Sequence, residues 1–179
     1  MRPARSKAAM RAAYLELLGE MPAHSITVRN LVERAGVNRS TFYRNYVALD
    51  DVLDDILDGL DLNAEGILPD AVRGERVIDR IEAHLLQHKE NSAVARTILL
   101  SERAPALEAH MERKILLMLE SGARSGNVRE DVPTSLYSYF FAAGLTRMIC
   151  EWTRRGCEGD VGAIARQILA AVRTINTGE

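Results

Sequence analysis

The chain has 179 residues, a formal net charge of −2, 47% hydrophobic residues and 27% charged residues, which suits a globular protein of one or two domains. Two cysteines are too few for a disulfide framework or a four-cysteine zinc site. No apolar run is long enough to span a bilayer, and the N-terminus has no apolar segment typical of a signal peptide. We therefore expect a reducing, cytoplasmic location and no contact with a membrane.

The charges are distributed unevenly along the chain. Residues 1–49 carry eight Lys or Arg against three acids, whereas residues 50–179 carry fifteen bases against twenty-two acids. A basic N-terminal part on an acidic remainder is typical of a protein whose N-terminal part approaches phosphates, although chance can also produce such a bias. Long stretches without proline or glycine, and the absence of alternating Val or Ile patterns, predict an all-α fold.

The first predicted helix runs from a cap at Ser6 to about Glu20 and follows a mobile basic arm over residues 2–5. Such an arm could reach a DNA minor groove, but a frayed terminus is an equally good interpretation. The helix has one apolar stripe, formed by Met10, Ala13, Tyr14, Leu17 and Leu18. We expect this stripe to brace the elements that follow.

A second helix is predicted after Thr27, whose hydroxyl can cap it, and it should end at Gly36. Asn30 stands where a capping box would have Glu or Gln, so only half of that motif is expected. A third helix should start after a cap at Asn38 and run to Tyr46, with Phe42 and Tyr46 on the buried side. The residues left outside can all donate hydrogen bonds, and none is an acid: Arg39, Ser40, Thr41, Tyr43, Arg44 and Asn45. A short helix of this kind, presented after a helix and a tight turn, suits the DNA major groove.

Three segments of this region resemble the DNA-binding part of the TetR (tetracycline-repressor) family: residues 26–28 (ITV), 35–38 (AGVN) and 41–46 (TFYRNY). The resemblance implies a helix-turn-helix DNA-binding domain over residues 1–49 and a helical effector-binding and dimerisation domain over residues 50–179. It also implies a homodimeric, ligand-responsive regulator, usually a repressor, that binds a palindromic double-stranded operator with half-sites about 34–36 Å apart. The residues implied in DNA contact are Thr27, Arg29, Arg39, Ser40, Thr41, Tyr43, Arg44, Asn45 and Tyr46.

Leu49 stands where many members of the family have a lysine that contacts phosphate, and Asp50 and Asp51 follow it. This departure leaves an alternative open, in which the protein keeps the fold but acts as a coactivator-like protein-interaction module with little or no DNA binding. A plain helical hairpin without any DNA contact is the least specific interpretation of the motif.

The remaining chain predicts further helices, beginning with one that starts at Asp50 or Asp51 and is followed by a loop over residues 63–74. On the next helix, about residues 75–89, His84 and His88 lie one turn apart, but no third ligand is evident, so we predict no metal site. Solvated or core-edge histidines are the simpler explanation for this pair. An effector pocket could use residues that combine polar anchors with deformable apolar surface: His84, His88, Met111, Met118 and Phe140.

Three more helices are predicted over residues 91–103, 105–121 and 133–155, and Asp160 should cap a last one. The helix over 133–155 is apolar on more than one side, which predicts that it and the last helix pair with their copies in a four-helix bundle. Satisfaction of both stripes within one chain is the alternative. The predicted dimer contacts are Phe141, Gly144, Met148, Trp152, Ile164, Ile168 and Ile175.

No catalytic set emerges from the sequence: it has no nucleophile motif, no phosphate-binding glycine loop and no convincing pair of catalytic carboxylates. Cys157, near Arg154 and Arg155, could be a thiol sensor, but an inert thiol is the simpler interpretation. We therefore expect a protein that is not an enzyme and holds no cofactor.

Overall fold

The computed structural model describes residues 3–60, 77–124, 131 and 136–177, with side chains in the last helix described to 171 and at Arg173. These residues form helices and no strand, which confirms the predicted all-α class. The helices are α1 Pro3–Glu20, α2 Val28–Ala35, α3 Arg39–Asn45, α4 Asp50–Gly59, α5 Val77–Glu90, α6 Ser92–Leu99, α7 Ala104–Arg124, α8 Leu136–Arg154 and α9 Val161–Thr177. The loop predicted over residues 63–74 and the start of the helix predicted from 133 lie outside the described residues.

The described residues fall into two compact units. The head unit comprises those within 1–61 and 94–107, and the body unit those within 62–93 and 108–179. The predicted functional boundary after Leu49 stays a prediction, since these units reflect packing and group α4 with the helices before it. Among the helices that the structure describes, none is both long and apolar enough to cross a bilayer.

In the head unit, α1 packs against α2, α3 and α4. The largest side chains that are fully buried there come from six different helices: Met10, Tyr14, Leu17, Leu31, Phe42, Val52, Ile98 and Leu107. Burial of one such side chain stabilises the folded head by about 1.5–3 kcal/mol. The core of the head therefore holds the short helices α2 and α3 in place. Neither helix is long enough to be stable in isolation.

The start of α1 differs from the prediction of a mobile arm over residues 2–5. The helix already begins at Pro3, and Ser6, which was predicted to cap it, is buried within it with 2% of its surface exposed. The physical reason is that proline suits the first turn of a helix, where its missing N–H would have no intrahelical acceptor.

In the body unit, α9 packs against both α5 and α8. The core combines residues of α5, α7, α8 and α9 with Cys157: Val77, Ile81, Leu85, Ile115, Met118, Leu119, Phe141, Ala142, Trp152, Ala165 and Ile168. Asp160 caps α9 as predicted, because its carboxylate accepts the N–H groups of Gly162 and Ala163 at 3.0 and 3.2 Å. Cys157 is fully buried, which fits an inert thiol better than a sensor.

Candidate DNA-binding surface

The N-terminus of α2 is fixed by a complete capping box. Thr27 Oγ1 accepts the N–H of Asn30 at 3.3 Å, and Asn30 Oδ1 accepts the N–H of Thr27 at 2.8 Å. The prediction of a half-built cap was therefore wrong, because the amide oxygen of Asn can accept the N–H that Glu or Gln usually binds. Thr27 and Arg29 remain exposed at this end of α2.

The turn between α2 and α3 depends on Gly36, whose φ of 63° lies in the left-handed region that favours glycine. The N–H of Val37, the next residue, bonds to the carbonyl of Val32 at 3.0 Å and closes the end of α2. Asn38, the residue after Val37, caps α3, because its side chain accepts the N–H of Thr41 at 2.8 Å. The chain thus leaves α2 and enters α3 with both helix ends satisfied by local hydrogen bonds.

The third helix has one buried and one exposed face. Phe42 is fully buried, and its ring centroid lies 5.9 Å from that of Tyr46, which is 5% exposed. Four of the predicted DNA contacts are exposed on the opposite side: Arg39, Ser40, Tyr43 and Arg44. The fold thus presents a face of hydrogen-bond donors, with two guanidinium groups, on a helix short enough to enter a major groove.

Not every predicted contact lies on this face. Thr41 and Asn45 are half-buried, and the Asn45 side chain donates to the Thr41 carbonyl at 2.7 Å. Tyr46 is inside the head, where its hydroxyl donates to Asp55 Oδ2 at 2.7 Å. Its place at the start of a turn that packs on α4 explains its burial, and we assign it to the support of α3 rather than to DNA contact. Arg29 pairs with Glu33 at 3.0 Å, and because both are well exposed the pair is weak enough for phosphate to replace Glu33.

Asp55 connects three helices beneath the candidate surface. Besides the Tyr46 hydroxyl, it accepts from Lys7 Nζ at 3.1 Å and Arg11 Nη1 at 3.3 Å, both on α1. Lys7 also lies 5.0 Å above the Tyr46 ring. Sequence analysis missed Asp55, because its partners lie 44 and 48 residues away on α1 and no local pattern reports such a contact.

This environment changes the pKa of Asp55. Burial alone would raise the pKa, but the hydrogen bonds from Tyr46 and Lys7 and the positive charges of Lys7 and Arg11 outweigh burial and lower it. Burial and the hydrogen bond to Asp55 raise the pKa of Tyr46, so its hydroxyl stays protonated and can donate. A carboxylate bound in this way joins the end of α3 to α1 and α4.

We expect Asp55→Asn to lower the stability of the head by about 1–3 kcal/mol, because an amide loses the charge-assisted contacts. The folded pKa is depressed, so the contribution of Asp55 is present above its unfolded pKa, about 3.9, and is lost as the pH falls through the folded pKa. Urea unfolding followed by circular dichroism at pH 7 and at pH 3 measures this difference.

Tyr46→Phe is the matched control, because it removes one hydrogen bond and keeps the ring and all charges. It should cost less than Asp55→Asn at pH 7. A difference between wild type and Asp55→Asn that is as large at pH 3 as at pH 7 would contradict the assignment.

The acidic start of α4 is used by the fold. Asp51 Oδ2 accepts the N–H groups of Val47 and Ala48 at 2.6 and 2.9 Å, and Asp50 Oδ1 pairs with Arg103 Nη2 at 2.9 Å. Leu49, in the position where the family often has lysine, is half-buried. Structural contacts therefore explain both acids that suggested a protein-interaction module.

The corner between α6 and α7, which contains Glu102 and Arg103, belongs to the head unit and is bonded to its N-terminal helices. Glu102 Oε2 accepts the backbone N–H of His24 at 3.4 Å and lies 3.1 Å from His24 Nδ1. Together with the contact of Arg103 to Asp50, this places the corner against two connections, the one before α2 and the one before α4. A displacement of this corner would therefore move the connections that precede and follow the helix-turn-helix.

The residues predicted to bind an effector lie in different surroundings within the body unit. Thr153 Oγ1 donates to the Ile149 carbonyl at 2.8 Å, so it must accept from His88 Nε2, also at 2.8 Å. Burial, together with the nearby His84, lowers the pKa of His88, and the His88 ring stacks on that of Trp152. His84 is half-buried. Among the described residues, no group of three or more His, Cys, Asp or Glu is arranged to hold a metal ion.

The other predicted pocket residues divide between core and surface. Met111 and Met118 are buried, and Met111 Sδ accepts from the Cys150 thiol at 3.5 Å. Phe140, by contrast, has 71% of its surface exposed. It therefore lies on the outside of α8, and we no longer place it in a pocket.

The predicted dimer contacts are also divided. Phe141, Trp152 and Ile168 are buried in the core of their own chain, Met148 and Ile164 are half-buried, and Gly144 is exposed. The side chain of Ile175 lies outside the described residues. The helix phase explains this division, because Phe141 lies on the side of α8 that packs into the core, while Tyr137, Phe140 and Gly144 share the outer side.

A comparison with known proteins gives an informative similarity. The chain is 26% identical, over an alignment of 174 residues, to the HTH-type transcriptional repressor KstR2 of Rhodococcus jostii (strain RHA1), covering 87% of this chain and 83% of that protein. No protein-family model matches the chain. The similarity extends far beyond the N-terminal motif and into the body. The all-helical fold, the helix-turn-helix in its head unit and this similarity together confirm the resemblance of the chain to the TetR-family transcription regulators.

Proposed function

We propose that the chain is a ligand-responsive transcriptional repressor that acts in the cytoplasm and binds a palindromic operator as a homodimer. The observation that carries the proposal is the exposed donor face of α3, with Arg39, Ser40, Tyr43 and Arg44 outside and Phe42 fully buried behind them. The repressor KstR2, to which the chain is similar, supports the same function. A regulator of this kind needs no catalytic set and no cofactor.

The division of labour on DNA follows from position and chemistry. Arg39 and Ser40 lie in the first turn of α3, where a recognition helix meets base edges, and we assign base contacts to them. Thr27 and Arg29 are exposed at the start of α2, and Tyr43 and Arg44 are exposed on α3; we assign these four to phosphates or neighbouring bases. Thr41 and Asn45 support the helix from inside, through bonds to Asn38 and within α3.

The outer side of α8 supports the proposed homodimer. Four large apolar side chains are exposed at its N-terminal end: Leu136, Tyr137, Tyr139 and Phe140. Gly144 follows on the same side, and a Cβ added there would meet none of the described atoms within 4 Å. A glycine with open space beside it allows close approach of a second helix, and we assign this side of α8 to the second copy.

We expect Phe140→Glu to convert the dimer into a monomer without loss of helicity, because Phe140 contributes exposed surface and no core packing. Light scattering coupled to gel filtration at micromolar concentration measures the mass, and circular dichroism measures the fold. Leu86→Glu is the matched control, since Leu86 is an exposed leucine of α5 and receives the same charge. A wild type that is monomeric, or a Phe140→Glu variant that stays dimeric, would contradict this interface.

The proposed effector site lies in the body unit. We assign to it the buried and deformable Met111 and Met118 together with the polar His84 and His88. An effector can release the operator only through its different affinity for the DNA-bound and the free conformation. The corner of Glu102 and Arg103, bonded to His24 and Asp50, is the part of the head through which we expect such a change to act.

Two pull-downs made in parallel test this function against that of a protein-interaction module. Sheared DNA of the source organism is incubated with the purified protein, and the bound fragments are sequenced; a second sample is incubated with a cell extract, and bound proteins are identified. The proposal expects a few enriched fragments that share an inverted repeat. Enrichment of a partner protein with no enriched DNA would favour the coactivator-like alternative instead.

A further inference from the structure

The cap of α3 fixes the direction of two hydroxyl hydrogen bonds. Asn38 Oδ1 lies 2.8 Å from the backbone nitrogen of Thr41, and because a backbone N–H only donates, this contact identifies the atom as the amide oxygen. The same oxygen lies 2.8 Å from Ser40 Oγ and 2.8 Å from Thr41 Oγ1. A carbonyl oxygen only accepts, so both hydroxyls direct their protons at Asn38.

This arrangement determines what each hydroxyl can offer to DNA. A hydroxyl has one proton to donate and two lone pairs that accept. Thr41 is half-buried, and its hydroxyl oxygen also accepts from Arg44 Nη2 at 3.3 Å. Most of the hydrogen-bonding capacity of this hydroxyl is therefore used within the helix. The Ser40 hydroxyl is exposed and has its proton occupied, so it presents lone pairs to the surroundings.

The major groove distinguishes donors from acceptors. Adenine N6 and cytosine N4 are amino groups that donate, whereas guanine O6 and thymine O4 accept. A serine hydroxyl with no partner of its own can donate to a keto oxygen or accept from an amino group. A serine hydroxyl that donates its proton to Asn38 can only accept, so it bonds with an amino group. Arg39, one residue earlier, has only donors and therefore pairs with acceptors such as the O6 and N7 atoms of guanine.

We propose that Ser40 is a specificity-determining residue, which Asn38 holds as a hydrogen-bond acceptor, and that it selects the amino group of an adenine or a cytosine in each half-site. This inference rests on the proposed DNA binding and adds to it which chemical group of the base is recognised. Asn38 is then a positioning residue as well as a helix cap, because it acts on the base only through Ser40.

The test combines DNA analogues with a serine variant. An operator is first selected from random duplexes with the wild-type protein. Duplexes are then made in which one base at a time loses its exocyclic amino group, with purine replacing adenine or 2-pyrimidinone replacing cytosine. At one position in each half-site, we expect wild type to lose about fivefold in affinity, as for one hydrogen bond of about 1 kcal/mol. The affinity of Ser40→Ala should not fall when the amino group is removed at that position. Any effect of weakened base pairing cancels, because both proteins are measured on the same duplexes.

Two controls make the outcome specific. Replacement of a guanine by 2-aminopurine removes the O6 acceptor and should affect wild type and Ser40→Ala equally. Asn38→Asp keeps an acceptor for the Ser40 proton, so the dependence on the amino group should persist even though the added charge weakens overall binding. Asn38→Gly keeps much of the cap and frees the proton, so that dependence should fall.

A Ser40-dependent loss on removal of a keto oxygen, or no position at which the loss depends on Ser40, would overturn the inference and leave DNA binding intact. A wild-type protein that enriches no sequence at all, with its helicity intact, would overturn the proposed function and this inference with it. The two failures are therefore distinguishable by the first selection step.

Discussion

Replacing Arg39 and Tyr43 together with Ala should lower the affinity for the selected operator by at least about 100-fold. Each well-made contact to a base contributes about 1–3 kcal/mol of discrimination, and a homodimer loses every contact twice. Both side chains are exposed, with 55% of Tyr43 accessible, so their removal leaves the core of the head intact. Fluorescence anisotropy with a labelled operator, at one stated salt concentration, measures the affinity.

The control for lost charge is Arg155→Ala, because Arg155 is an exposed arginine just after α8 that pairs with Glu151. It should bind the operator within about twofold of wild type, a change of under 0.5 kcal/mol. Thermal unfolding of the double variant should match that of wild type. An operator affinity that is unchanged in the variant lacking both Arg39 and Tyr43 would show that α3 does not recognise the operator bases.

Phe42→Ala should unfold the head while leaving the body helical. Phe42 is fully buried, with its ring centroid 5.2 Å from that of Tyr43 and 5.9 Å from that of Tyr46, and truncation of a buried Phe costs about 3–5 kcal/mol. That loss is comparable with the whole stability of many domains. Hydrogen exchange should report lost protection over residues 28–57 and retained protection in α5 and α9, and operator binding should disappear.

Phe42→Leu is the matched control, since it keeps an apolar side chain in the site and leaves a smaller cavity. It should retain protected amides in α2 and α3 and measurable binding. If Phe42→Ala keeps its α3 amides protected, the head does not depend on this side chain, and the packing described for it is wrong.

The order of the helices could be predicted from the sequence because the signals are local. Thr27, Gly36 and Asn38 mark the ends of α2 and α3 through bonds that reach five residues or fewer, and the bounds of both helices follow the prediction within one residue. The 3.6-residue period likewise identified Phe42 as buried. Even the error at residues 2–5 was local, because the preference of proline for a first helical turn was given too little weight.

The outer and inner sides of α8 show where sequence patterns become insufficient. Phe140 and Phe141 are adjacent and chemically identical, yet one has 71% of its surface exposed and the other 5%. A helix that is apolar on more than one side gives no indication of which side faces its own core. That choice depends on how α8 packs against α9, which no local pattern contains.

The sequence by itself determined the helix-turn-helix, its caps and the donor face of α3, because each of these arises from residues within one or two helical turns of one another. Only the tertiary structure decided that Tyr46 supports the head from inside, that Asp55 joins it to Lys7 and Arg11, and that Phe140 lies outside while Phe141 lies in the core. These contacts join residues of different helices, up to 48 positions apart, so their geometry exists only after the helices have packed.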